Sequence, residues 1–221
     1  RKQRDVSVQQ MEKGLIDLDR PVDGSLPGYE INQAFPESGP ITLRNMMTHH
    51  SGIPGDILIG AMTTEYDPGY LDWTLDYLRN DFTAYPVNFV FSYSNTAGFL
   101  EGAAVAAAVG RPFVELGDEF MADLGMSDSS FVFQPALEDR MAKGYYRNQE
   151  LPRIQVNASP SGSIRSTALD MAKFILMVLS GGRPVLDAES VKEMLTPQNL
   201  DIPLDLDFRI GLAWFLSDPE M

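Results

Sequence analysis

Tyr93, Ser94 and Asn95 stand together in the stretch FVFSYSNTAGFLEG, Phe89 to Gly102. A phenol can carry a proton and an amide can hold a carbonyl. Tyr93 and Asn95 are therefore candidates for proton transfer and for substrate contact. The same residues also suit a polar turn that opens a helix, because short Asn, Ser and Thr side chains accept the unpaired N–H groups of a first turn. Asn95 before an alanine-rich run fits that second use. On these residues alone both uses stay open.

Several other chemistries are bounded by what the sequence lacks. A Ser-His-Asp triad needs a histidine within reach of a serine. The only histidines are His49 and His50, adjacent at an expected helix end. Neighbours on a helix point about 100° apart, which suits joint metal binding poorly. No H-E-x-x-H, P-loop or G-x-S-x-G pattern occurs. Serine hydrolysis without histidine needs a serine activated by lysine or tyrosine, as in S-x-x-K enzymes. No S-x-x-K occurs: Ser166 and Lys173 are seven residues apart, and Ser190 and Lys192 are two apart. Ser51, Ser161 and Ser163 sit beside glycines and read as structural turn residues. Asp201, Asp205 and Asp207 read as a solvated acidic loop, because the glycine and terminal Glu of an EF-hand are missing. There are no cysteines, so thiolate nucleophiles and Cys-ligated zinc are excluded. No cofactor or metal site is expected.

The 221 residues are 44% hydrophobic and 22% charged, which fits one globular core. Thirty-one acidic against 17 basic residues give a net charge of −14. That argues against nucleic acid or an anionic membrane as partner, since both reward clustered Lys and Arg. No apolar run approaches the ~20 residues of a membrane span.

The elements that must position Tyr93 and Asn95 are mostly helical. Val6 to Lys13 reads as a short helix stopped by Gly14. Thr42 caps a helix carrying Leu43, Met46 and Met47, the methionines read as core, and Gly52 follows its end. Leu71, Leu75 and Leu78 mark another. Phe99 to Val109 is small and apolar all round, so it reads as buried, with Gly110 as its stop. Pro112 opens the next helix, with Phe113, Leu116, Phe120 and Leu124 inward and Gly125 at its close. Thr167-Ala168-Leu169-Asp170 has the form of a capping box before Met171, Phe174, Ile175, Val178 and Leu179. Asp187 to Leu195 is a further short helix. FRIGLAWFL, Phe208 to Leu216, is the clearest strand candidate.

Several segments in order resemble the large serine hydrolase family that includes class C beta-lactamases, esterases, D-aminopeptidases and penicillin-binding proteins. MEKGLIDLDRPV resembles the stretch after that family's nucleophile helix, and ITLRNMMTHHSGIPG its "ITLRHLLTHTSGLP" segment. FSYSNTAGFLEG resembles the segment with its Tyr-x-Asn motif, and FMADLGMSDSSF its "PLGMKDTSF" segment. AKGYY, Ser159 to Gly182 and GLAWFL match later stretches. The departures are Pro86-Val87-Asn88, where Pro-Gly is usual, and His50-Ser51-Gly52, which aligns with a structural Thr-Ser-Gly.

The resemblance implies an α+β fold of the beta-lactamase/DD-peptidase type, a helical region packed on a mainly antiparallel sheet. It implies one domain over 1–221, helix-dominated and truncated at both ends, because the Ser-x-x-Lys element belongs before Arg1 and the third motif after Met221. It implies that Tyr93 is a catalytic base and that Asn95 bonds a substrate amide or carbonyl. A phenol keeps its proton to about pH 10, so such a base needs a neighbouring cation, which the family's lysine supplies. The implied reaction is acyl-enzyme hydrolysis of an amide, beta-lactam or ester, in a small-molecule or peptide substrate, with the nucleophile outside this chain. The family also implies a periplasmic or extracellular setting. The alternative is a non-catalytic member of the fold that binds a peptide or cell-wall-derived ligand.

Overall fold

The computed structural model describes residues 2–26 and 28–217, with side chains from residue 5 onward. The expectation of cut ends at Arg1 and at 218–221 lies outside them. In chain order the α-helices are α1 (Lys2–Glu12), α2 (Leu43–Met47), α3 (Tyr70–Leu78), α4 (Asn95–Val109), α5 (Phe113–Asp123), α6 (Ser159–Gly162), α7 (Ala168–Leu179) and α8 (Ala188–Met194). The strands are β1 (Met62–Thr63), β2 (Tyr145–Tyr146), β3 (Gln149–Glu150), β4 (Gln155–Val156), β5 (Arg209–Ile210) and β6 (Phe215–Leu216). They pair antiparallel as β1–β4, β2–β3 and β5–β6.

α4 is the hub. Its run NTAGFLEGAAVAAAV buries Thr96 through Val105, and its small side chains let neighbours come close. α1, α2, α5 and α6 all pack on it. Gly102 makes room for the ring of Pro160 on α6, where a Cβ would fall 2.2 Å from Pro160 Cβ. Val6 and Val8 of α1, Met46 and Met47 of α2, and Phe120 of α5 share one core with Leu100 and Ala104 of α4. α5 follows α4 at a bend of 88°, and among the described residues no single helix is long and apolar enough to cross a membrane.

The cap signals are largely as expected. Thr42 accepts from the Asn45 N–H and Asn45 returns the bond to the Thr42 N–H, a full capping box. Thr167 caps α7 through the Asp170 N–H, but the Asp170 carboxylate turns away to the Asp128 N–H and the Ser129 hydroxyl. Ties to the preceding loop displace the reciprocal half of that box. α7 buries Asp170, Phe174 and Met177, so Ile175 and Leu179 of the expected stripe are exposed.

Two expectations change. The strand over Phe208–Leu216 is a hairpin, with β5 and β6 joined through a turn in which the Gly211 N–H donates to the Trp214 carbonyl. Ala213 has φ 63°, and Gly211 lies so near the α8 end that a Cβ would sit 2.0 Å from the Met194 carbonyl oxygen. That close approach bends the run out of line. The acidic loop is not uniformly solvated either: Asp205 is 6% exposed.

Gly52 closes the loop after α2 at φ +73°, and a Cβ there would lie 2.0 Å from the Tyr85 carbonyl oxygen. Gly52→Ala combines left-handed strain with a backbone clash, so about 3 kcal/mol of destabilisation is expected. Thermal unfolding should shift down by roughly 10 °C; an unshifted midpoint would show that the loop yields without cost.

Candidate active site

The site begins with the end of α2. His49 is the first residue beyond its C-cap and takes φ 62°, while the His50 N–H returns to the Asn45 carbonyl at 2.8 Å. This is the left-handed helix stop that glycine usually supplies. Here histidine adopts it, and the imidazole is put to use. Nδ1 accepts the Ser94 N–H at 3.1 Å, and the ring lies 4.3 Å from the Tyr93 ring.

The segment before α4 is laid against this loop by backbone bonds. The Asn88 N–H donates to the His50 carbonyl and the Ser92 N–H to the His49 carbonyl, both at 2.9 Å. The Thr96 N–H donates to the Gly55 carbonyl at 3.1 Å. Asn88, the last residue of the Pro86-Val87-Asn88 departure, takes φ 57°. Asparagine tolerates that region better than most residues, and its side chain accepts from Asn45. The departure in sequence therefore leaves the turn geometry available.

Ser94, not Asn95, caps α4. The Ser94 hydroxyl accepts from the Ala97 N–H at 2.9 Å and donates to the Pro54 carbonyl at 2.8 Å. Ser94 is fully buried and extended, at φ −140° and ψ 113°. Extended backbone puts residues 93 and 95 on one side. Tyr93, half exposed, donates from its hydroxyl to Asn95 Oδ1 at 3.1 Å. Asn95 Nδ2 donates to Asp56 Oδ1 at 2.7 Å. With the cap assigned to Ser94, the two uses that competed for Asn95 separate, and its amide is turned outward. Tyr93 and Asn95, the two site residues read from the sequence, are thus brought into contact.

Asp56 was missed by the sequence reading. It lies 39 positions from Asn95, and nothing in the string ties a loop carboxylate to that amide. His50 and Asp205 were also missed as a pair. His50 Nε2 lies 2.7 Å from Asp205 Oδ2, both side chains buried. Asp205 Oδ1 accepts the Phe91 N–H at 2.6 Å, and Asn199 donates to Oδ2. Burial opposes ionisation of Asp205, but the bonds from Asn199, the Phe91 N–H and His50 outweigh it and hold the carboxyl below its usual range. Among the described residues no group of three or more His, Asp or Glu could hold a metal ion.

Beside Asn95 lies a cavity of about 230 Å³, lined by apolar groups of the 57–62 loop, α3, α4 and β4.

A family model described as beta-lactamase matches residues 6–221. Beta-lactamase-like protein 2 of Dictyostelium discoideum is 25% identical over 207 residues, covering 87% of this chain and 36% of that protein. Esterase EstB of Burkholderia gladioli is 30% identical over 152 residues, covering 63% of this chain and 38% of the esterase. The chain therefore spans well under half the length of these curated relatives. Among solved structures, a beta-lactamase/D-alanine carboxypeptidase from Yersinia pestis superposes with a TM-score of 0.80 at 22% identity, over 100% of this chain and 65% of that one. A class C beta-lactamase from Rhodobacter sphaeroides gives 0.71 at 21% identity, over 99% and 60%. Both are likenesses of fold, and they bear out the expected beta-lactamase/DD-peptidase architecture.

A carboxyl whose folded value is depressed stabilises fully above the unfolded range and loses that stabilisation as pH falls through the folded value. Asp205→Asn should therefore lower the unfolding free energy by about 2 kcal/mol at neutral pH. The deficit should shrink below about pH 4. Urea melts across pH 2–7 read it directly, and a deficit that stays constant would remove the charge of Asp205 from the account.

Proposed function

The chain belongs to the beta-lactamase family, and from that premise we propose that it forms the tyrosine side of the active site of a serine hydrolase. The observation that carries the proposal is the contact of the Tyr93 hydroxyl with the outward-turned Asn95 amide, at the edge of a cavity. In the reaction, a serine oxygen supplied from outside these 221 residues attacks the substrate carbonyl carbon. Tyr93 Oη takes the proton that the serine loses and later passes it to the departing amine or alcohol, so that an acyl-enzyme forms. For this step Tyr93 gives up its bond to Asn95 Oδ1, since a phenolate cannot donate, and a cation supplied from outside takes its place beside Oη.

Asn95 holds the substrate carbonyl or amide. One N–H of Nδ2 is engaged by Asp56, and the second is left to donate to a substrate oxygen. Loss of a positioned proton carrier removes a large factor in rate and little ground-state binding. The substrate is an amide, beta-lactam or ester. The similarity to Esterase EstB favours testing esters first.

In the full-length protein, Tyr93→Phe should lower kcat by about 10²–10⁴-fold with little change in substrate affinity. An unchanged kcat would take Tyr93 out of the mechanism. These 221 residues alone should give neither a burst of product from a chromogenic ester or lactam nor a covalent acyl adduct by mass spectrometry. Either signal would place a nucleophile inside the chain.

A further inference from the structure

On its outer side α3 carries a row of aromatic rings. Tyr70, Trp73 and Tyr77 follow at i, i+3 and i+7, one face of the helix. They stack with centroids 5.7 and 5.5 Å apart. Tyr70 is buried, whereas Trp73 is 39% and Tyr77 45% exposed. The Tyr70 hydroxyl donates to the Ile57 carbonyl at 3.3 Å, which joins the row to the 57–62 loop. On that loop Leu58, Ile59 and Met62 are 76, 62 and 68% exposed. Loop and helix together make an exposed apolar strip of the kind that marks a contact surface.

The charges beside the strip are of one sign. Asp76 stands three residues beyond Trp73, the spacing of surface neighbours on a helix, and Asp72 lies about one turn before Asp76. Both are exposed, as are Glu65 and Asp67 ahead of the helix. Between Arg44 and Arg111 the sequence holds seven acidic residues and, of Lys and Arg, only Arg79. Arg79 is itself engaged by the Gly28 carbonyl and by Asp76. The faces of the Trp73 ring are taken up by its two neighbours in the stack. Attraction for a cation therefore comes from the carboxylates, and the outward ring edges supply apolar contact. Helix faces that bind membranes are flanked by Lys and Arg; here the flank is acidic, which suits a cationic protein partner instead.

We propose that this strip docks a basic amphipathic segment of another protein. The partner's apolar side chains lie along Trp73, Tyr77 and the 57–62 loop, and its Lys or Arg side chains face Asp72 and Asp76. Burial of the strip supplies the affinity, and the carboxylates select the sign of the partner and speed its approach. The inference is independent of the roles given to Tyr93 and Asn95.

The test uses the full-length protein and a fluorescein-labelled amphipathic peptide of leucine and lysine, read by fluorescence anisotropy. The peptide should bind, and its counterpart with glutamate in place of lysine should not. Asp72→Asn combined with Asp76→Asn should weaken binding about tenfold. Trp73→Ala combined with Tyr77→Ala should weaken it by about tenfold or more. Asp123→Asn combined with Asp139→Asn removes the same charge from exposed positions on other elements, and should change binding by less than about twofold. No binding of the lysine peptide, equal binding of the glutamate peptide, or equal losses in the two aspartate pairs would overturn the proposal. So would binding of phosphatidylcholine vesicles, without binding of the peptide, that is lost with Trp73→Ala and Tyr77→Ala, because the strip would then be a lipid contact.

Discussion

The buried carboxylate of Asp205 draws two distant stretches, around His50 and Phe91, to its own loop. Its oxygens meet the Phe91 N–H, the Asn199 amide and His50. A buried carboxylate is costly unless it is hydrogen-bonded, and these three partners engage both of its oxygens. The consequence reaches the site through the backbone. Phe91 is two residues from Tyr93, and His50 follows the histidine whose ring lies beside Tyr93. Phe91 is packed in turn against Phe208 and Phe215, so the β5–β6 hairpin braces the same segment. The placement of Tyr93 thus derives in part from groups that do not touch it.

The second constraint is the division of labour between neighbours. Ser94 is inward, buried and capping, while Tyr93 and Asn95 are outward. An extended residue between two others puts the flanking side chains on one side, and the cap holds that geometry by tying Ser94 to both α4 and the Pro54 carbonyl. A left-handed His49 then aims an acceptor at the Ser94 N–H. Strained backbone at a non-glycine residue persists where the surroundings over-determine it, and here the Ser94 bond and the Tyr93 ring do so.

Much of this was legible in the sequence where the signal is local. Thr42, Thr167 and Gly110 marked helix ends through their own chemistry, and the all-round small apolar run of α4 announced burial. Tyr93 and Asn95 were singled out by the ordered resemblance of the segments around them, because their own types and spacing also fit a helix start. What failed was tertiary. Propensity ranks Asn and Ser alike as caps, so only the burial of Ser94 assigns the role. Asp205 read as solvated because the residues that bury it lie up to 155 positions away. The strand over 208–216 read as continuous because the apolar pattern does not reveal how closely Gly211 approaches the end of α8. Asp56 gave no signal at all, since a lone carboxylate in a loop has no period.

The central claim is that Tyr93 and Asn95 act on the same substrate as one unit. A double-mutant cycle on kcat/KM in the full-length protein, with Tyr93→Phe, Asn95→Ala and both together, tests it most directly. The account predicts that the double variant loses less than the product of the single losses, with a coupling of about 1 kcal/mol or more. Strictly multiplicative losses would contradict it, because the two residues would then act independently.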